Sequence, residues 1–254
     1  MTGIRLDGKR ALITGATKGI GADIAKTFAA AGAALVLSGR DKSELSAARN
    51  ALTDEFGVDI KTAAVDLAQP DGPAHLADLA VGAFGGLDIL VNNAGISHPQ
   101  PAIDTDPALF DATMVVNLRA PALLASAVGK AMVEQGSGGS IITVASAAAL
   151  APLSDHYAYC ASKAGLVMAT KVLARELGSH GIRANSVCPT VVLTEMGQRV
   201  WGDEAKAAPM IARIALGRFA VPREVSDTVL WLASDAASMI SGVDVPVDGG
   251  YTMG

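Results

Sequence analysis

The chain has 254 residues, half of them hydrophobic and 18% charged, so it carries ample material for a core. Its formal net charge of −5 argues against a nucleic-acid surface, which needs clustered Lys and Arg. No apolar run approaches the roughly 20 residues of a membrane span, and the two cysteines, Cys160 and Cys188, are too few for a disulfide scaffold or a metal-ligand cluster.

Two reduced thiols and no metal are therefore expected. The start, Met1–Arg10, is polar and lacks the apolar stretch of a secretion signal, so a cytoplasmic location is expected, with no nucleic-acid or membrane partner.

Short apolar runs alternate with helical stretches. A strand over Arg10–Thr14 leads to a helix from near Gly19, and Ala34–Ser38 to a helix from near Lys42. Lys61–Asp66 is followed by a helix near Pro73, Asp88–Asn92 by one near Pro107, and Ser140–Ala145 by one near Tyr157. Ile182–Val187, a helix near Pro222 and a last strand near Val243–Val247 complete the series. Several strands lack polar alternation, as expected when both faces are buried. The pattern predicts an α/β fold, a doubly wound Rossmann-type parallel sheet formed by one domain over residues 1–254. From Pro189 to about Leu216 no strand is expected, and an insertion in that place reads as a lid, about 189–216.

Thr14-Gly15-Ala16-Thr17-Lys18-Gly19-Ile20-Gly21 follows the first strand and opens the first helix. Glycines let the backbone turn tightly and approach a pyrophosphate, and free N–H groups at a helix start attract that anion. The spacing differs from G-x-G-x-x-G, but its place in the first βα unit favours dinucleotide binding over a structural turn. Asn92-Asn93-Ala94-Gly95 ends the fourth strand, where the crevice of such a sheet opens. Ala94 and Gly95 leave room for a ribose; Asn92 and Asn93 also suit an ordinary turn.

Tyr159 and Lys163 lie four residues apart at a helix start, hence on one helix face, and Ser146 closes the strand before it. A tyrosine with a pKa of about 10 is a poor acid/base near neutrality. A lysine cation at about 5 Å, with an effective dielectric near 20, favours the phenolate by roughly 3 kcal/mol. Alone the pair suits a helix surface; joined with Ser146 and the glycine loop it points to proton transfer by Tyr159.

With these motifs, with Asp66 and Asn117, and with the Asp248-Gly249-Gly250 end, the chain resembles the short-chain dehydrogenase/reductase family from Leu6 to Gly254. The resemblance implies that Tyr159 donates or accepts the proton and that Ser146 orients the substrate oxygen. It implies that Lys163 holds the nicotinamide ribose and that Asn117 anchors a relay water. Asp66, with Leu67 beside it, would bind the adenine; Pro189, Val192 and Thr194 would lie at the nicotinamide, joining Gly15, Thr17, Lys18, Gly19, Ile20, Gly21, Asn93, Ala94 and Gly95 in the cofactor site. Where the family usually has Pro-Gly, this chain has Pro189-Thr190, so a side chain enters the loop after the sixth strand.

NAD-dependent relatives place an acid after the second strand; here Gly39 stands there, followed by Arg40. An Arg pairs with the 2′-phosphate of NADP(H), and Lys18 adds a second cation, so NADP(H) is expected ahead of NAD(H). The runs His156–Lys163 and Cys188–Gly197 are similar to the L-xylulose (dicarbonyl) reductases and related polyol dehydrogenases, in which residues matching His156 and Trp201 line the substrate pocket. A small ketose, dicarbonyl or polyol is the substrate this implies. A 3-oxoacyl reductase of lipid metabolism would use the same catalytic residues, and a catalytically inactive cofactor-sensing module is a rival that the retained Tyr159 and Lys163 oppose. The apolar helices Asn117–Val133 and Tyr157–Leu177 and the apolar C-terminal segment are expected to pack against copies, giving a homotetramer ahead of a dimer.

Overall fold

A computed structural model describes residues 3–253, apart from the side chains of Met196, Arg199 and Val200. Seven strands form one sheet: β1 (Arg10–Thr14), β2 (Ala34–Gly39), β3 (Ile60–Ala64), β4 (Ile89–Asn92), β5 (Gly139–Val144), β6 (Ile182–Pro189) and β7 (Asp244–Val247). All neighbours run parallel, in the order β3-β2-β1-β4-β5-β6-β7.

The strands are apolar because both sides of the sheet are covered. Ala11 and Ile13 of β1 and Ile89 and Val91 of β4 enter one core layer. That layer is closed by α1 (Gly19–Ala30), α2 (Lys42–Phe56) and α9 (Pro222–Ala233), which supply Ile24, Phe28, Leu45 and Val229. The intervening Leu12 and Leu90 enter the opposite layer, under α3 (Gly72–Phe84), α5 (Ala120–Gln135) and α6 (Tyr157–Leu177). At the sheet's amino edge Arg10 clamps β1 to β4, its Nε and Nη2 donating to Asp88 at 2.8 and 2.9 Å.

The predicted strands hold with small shifts. β3 stops at Ala64, so Asp66 lies beyond the strand, and β5 stops at Val144, two residues before Ser146. The helix expected near Pro107 begins there as α4 (Pro107–Met114) and runs through a π-helical turn, Val115–Arg119, into α5. This continuous helix is long and apolar enough to cross a membrane, although the sequence has no unbroken apolar run of that length. Its place is the core: Leu124, Val128 and Met132 are fully buried beneath the sheet. After Pro189 the strandless segment forms two short helices, α7 (Glu195–Trp201) and α8 (Glu204–Ile211), and Val192 bridges to Ala220.

Strand order reverses between β1 and β4, whose carboxyl ends therefore bound a crevice.

Candidate active site

One wall of the crevice is the glycine loop. Gly15 and Gly19 have φ of +64° and +56°, a region that other residues reach only at a cost. A β-carbon at Gly21 would collide with the Gly15 carbonyl and the Asn93 amide, so that position admits only glycine. α1 starts without a side-chain cap and with no acid in its first turn. Its N–H groups therefore lack the side-chain acceptor that usually meets them, which suits a phosphate. Ile20 packs down on the core.

The loop is tied to the end of β4 by Asn93 and Thr14. Asn93 Nδ2 donates to the carbonyls of Thr14 (2.9 Å) and Gly15 (3.2 Å), while Thr14 Oγ1 accepts from the N–H groups of Asn93 and Ala94, both at 3.0 Å. Gly95 follows, where an added β-carbon would lie 3.3 Å from Asn117 Oδ1 and 3.5 Å from Lys163 Nζ. The sequence motif thus has an internal use: it fixes the crevice before any ligand arrives.

Asn117 sits in the π-helical turn, fully buried. Its side-chain oxygen accepts from Ile96 N and its amide donates to Ile96 O, each at 2.8 Å. A π turn of this kind is frequent at functional sites; no feature of the sequence pattern marked it.

Ser146 is extended (φ −175°), and its hydroxyl accepts from Ala148 N at 3.1 Å, capping the short turn Ala147–Ala149. Tyr159 and Lys163 stand on the first two turns of α6, as the spacing predicted. Lys163 is buried, 4% exposed, and its Nζ donates to Val144 O at 3.0 Å and lies 5.8 Å from the centre of the Tyr159 ring. The expected electrostatics do not appear in this state. Burial pushes the Tyr159 phenol above its usual value, hydrogen bonding with Ser146 only partly opposing it, and Lys163 does not offset that rise. Burial also lowers Lys163, to about 8. Both shifts run towards the neutral form because burial penalises each charged form, although Lys163 at about 8 stays mostly cationic at neutral pH.

His156 precedes α6. Its Nδ1 lies 2.7 Å from Ser154 O, and its ring meets Tyr159 edge-on at 6.0 Å. Asp155 just before it is the one non-glycine residue at positive φ among the described residues (+60°), and its carbonyl accepts from Gln100 N at 2.7 Å. That turn aims His156. Trp201 ends α7 and packs on Phe219 at 5.7 Å.

Ser146, His156, Tyr159 and Trp201 line one cavity of about 190 Å³, together with Thr190 and Tyr251. Ser146, His156, Tyr159 and Trp201 therefore converge, whereas Asn117 and Lys163 do not line this cavity and lie beside Gly95. Tyr251 had no place in the sequence reading; an aromatic directly after Asp248-Gly249-Gly250 was the available signal. On its outer side Trp201 also borders a larger apolar groove of about 630 Å³. A further hollow, about 540 Å³, opens at the amino edge of the sheet and contains none of these residues.

The other predicted positions are more dispersed. Asp66 is exposed, and hydrogen bonds from Ala68 N and the Gln69 amide hold its carboxyl below the usual range; Leu67 is buried beside it. Val192 is buried and Pro189 ends β6. The Thr194 hydroxyl is engaged by Gly197 N at 3.0 Å as the cap of α7, and its methyl would lie 3.2 Å from a β-carbon at Gly19. Gly39 is the last residue of β2, one beyond the expected end, and exposed Arg40 follows it. Lys18 is not a free cation: its Nζ pairs with Glu44 Oε1 at 2.6 Å, and Thr17 Oγ1 donates to Glu44 Oε2 at 3.2 Å.

A family model described as enoyl-(acyl carrier protein) reductase matches residues 15–252. L-xylulose reductase of Bos taurus is 43% identical over 248 residues, covering 98% of both chains. The chain belongs to the short-chain dehydrogenase/reductase family. D-threitol dehydrogenase of Mycolicibacterium smegmatis is also 43% identical, over 98% of this chain and 95% of its own length. A gluconate 5-dehydrogenase from Burkholderia cenocepacia, solved in complex with NADP and tartrate, superposes with a TM-score of 0.92 at 33% identity, covering 98% of this chain and 97% of that one. The fold is that of this oxidoreductase family.

Proposed function

We propose that this short-chain dehydrogenase/reductase interconverts a small ketose or dicarbonyl with its alcohol, using a nicotinamide cofactor with NADP(H) ahead of NAD(H). The observation that carries the reading is the convergence of Ser146, His156 and Tyr159 on a single cavity of about 190 Å³. That volume falls below the roughly 300 Å³ at which pockets for drug-sized ligands begin, and the similar reductases act, by name, on short sugars and polyols.

The uncapped start of α1, the room kept at Gly95 and the basic Lys163 beyond it fit a dinucleotide. Gly15, Thr17, Gly19, Ile20 and Gly21 would take its pyrophosphate; Asp66 and Leu67 its adenine; Asn93, Ala94, Gly95, Tyr159 and Lys163 the nicotinamide ribose; Pro189, Val192 and Thr194 its carboxamide end. When bound, the cofactor supplies or accepts the hydride. Tyr159 Oη gives its proton to the carbonyl oxygen in reduction and takes it back in oxidation. Ser146 donates a hydrogen bond to the same oxygen, lowering the cost of charge developing there. Asn117, holding Ile96 at both ends, keeps the floor of the crevice fixed and lies where a proton relay would pass. The segment 189–216, carrying Trp201, acts as the lid that excludes water. Arg40 carries the preference for the 2′-phosphate.

The exposed apolar side chains include Leu123, Met168 and Val172 on α5 and α6, and Leu216, Val243 and Met253. Symmetric packing of copies over such side chains would give a homotetramer. Cys160 and Cys188 are free thiols, which suits the cytoplasm. The deciding assay follows cofactor absorbance with D-erythrulose, L-xylulose and threitol against a 3-oxoacyl thioester. Turnover of the sugars is expected; turnover confined to the thioester overturns the reading in favour of lipid metabolism.

A further inference from the structure

The cavity at Tyr159 has two hydroxyls that the reaction does not use. Among the described residues, five buried side-chain polar atoms have neither a hydrogen-bond nor an ion-pair partner, and two of them, Thr190 Oγ1 and Tyr251 Oη, belong to residues lining this cavity. The other three, on Asn92, Ser186 and Asp244, belong to residues that do not line it. A buried hydroxyl without a partner is unfavourable, and nearly all find one in protein or water.

Neither residue is loosely placed. Tyr251 is 3% exposed and packs with Ala147, Met210 and Ile214. The Arg213 guanidinium lies 4.5 Å from the centre of its ring. The turn that carries it is pinned by Asp248, which accepts from Gly250 N and Thr252 N, both at 2.9 Å, and from Thr252 Oγ1 at 2.6 Å. Thr190 continues the pairing of β6 with β7, its N–H donating to Val247 O at 3.2 Å. Both residues are thus held at the cavity wall by a rigid frame, and no protein group satisfies either buried hydroxyl.

We infer that Thr190 and Tyr251 form a hydroxyl-reading subsite, which hydrogen-bonds the alcohol groups on the carbons flanking the reacting carbonyl and selects hydroxylated substrates over apolar ketones of equal length. The inference rests on the ketose reading above and deepens it. Ser146 and Tyr159 address the reacting oxygen, common to every carbonyl substrate; Thr190 and Tyr251 address what distinguishes a sugar from a plain ketone.

The test compares D-erythrulose with butan-2-one, both of four carbons, in the wild type, Tyr251→Phe and Thr190→Val. Each substitution removes a hydroxyl while keeping shape. The selectivity ratio, kcat/KM for erythrulose over that for butan-2-one, is expected to fall roughly five- to tenfold in each variant, as loss of a neutral hydrogen bond gives. The loss should appear mainly in KM for erythrulose, because these contacts form before the transition state. Butan-2-one turnover and the melting temperature serve as internal controls for folding. A ratio that stays put in both variants removes the subsite and leaves the ketose reading intact. Equal losses on both substrates, with a lowered melting temperature, assign the two residues to the scaffold and also overturn the inference. A wild type inert towards erythrulose but active on butan-2-one or on thioesters removes the ketose reading, and the subsite falls with it.

Discussion

Lys18 Nζ lies 2.6 Å from Glu44 Oε1, so the cation inside the glycine loop already has an anion. Arg40, next to Gly39, is left to distinguish the two nicotinamide cofactors. A β-carbon at Gly39 would meet Thr17 and Leu45 only at ordinary contact distances of 3.5–3.7 Å, so Gly39→Asp places its β-carbon without a clash. It is expected to reverse a preference for NADPH by repelling the 2′-phosphate and accepting from the free 2′-hydroxyl. Glu44→Gln releases Lys18 and should tighten NADPH about two- to fivefold, the scale of an exposed ion pair, since both partners are more than a third exposed. Initial rates with both cofactors at one salt concentration decide; a wild type preferring NADH assigns Arg40 to the surface.

The raised Tyr159 pKa gives the two directions different pH profiles. Reduction needs the neutral phenol, which is present at all pH below its pKa, so the reductive rate should stay flat through neutrality. Oxidation needs the phenolate, so its rate should climb as pH rises. Tyr159→Phe should lower turnover in both directions by about two to four orders of magnitude with little change in cofactor affinity. Retention of a tenth of wild-type turnover would assign the proton to another group.

Lys163 is expected to cost the cofactor-free protein stability. Its pKa falls from 10.5 to about 8 on folding, so between those values the unfolded chain binds more protons and stability rises with pH. From pH 6.5 to 9 the gain from this group is about 1.4 kcal/mol, one pK unit's worth. Cys188, pushed up to about 12 by burial and by Asp244, works in the opposite sense from pH 9 upward and leaves that window largely untouched. Lys163→Met should therefore be the more stable protein at pH 6.5, with the difference from wild type shrinking by about 1.4 kcal/mol at pH 9. Thermal melts of both proteins without cofactor measure this; an identical pH slope in the two would refute it.

Trp201 separates the small cavity from the 630 Å³ apolar groove. Trp201→Ala joins them. KM for erythrulose should rise more than kcat changes, while bulky apolar ketones excluded by the wild type gain turnover. Unaltered preference across a series of ketones of increasing size would show that the indole is only packing on Phe219.

The sheet was legible in the sequence because its strands are buried on both faces and read as bare apolar runs such as Ala11-Leu12-Ile13. Ser146, Tyr159 and Lys163 were legible because helical spacing and strand ends fix them relative to one another. Glu44 was not, since only folding brings α2 against the glycine loop. Tyr251 stands about 90 residues beyond Tyr159, and no periodicity links such positions. The sign of the Tyr159 shift was missed for another reason: the chain shows that a lysine is near, but enclosure of both groups is a property of the packed site.

The π-helical turn at Val115–Arg119 makes the helix from Pro107 to Gln135 two helices out of phase. One residue of α-helix turns the chain by about 100°. Removing Val115 or Val116 to restore regular winding would swing α4 round relative to α5, or carry Asn117 away from Ile96. Length at this point is consequently as constrained as residue identity. Surface loops of the molecule can lengthen or shorten, but a single-residue deletion here should uncouple a sound core from a working crevice: a protein that folds, melts cooperatively and does not turn over.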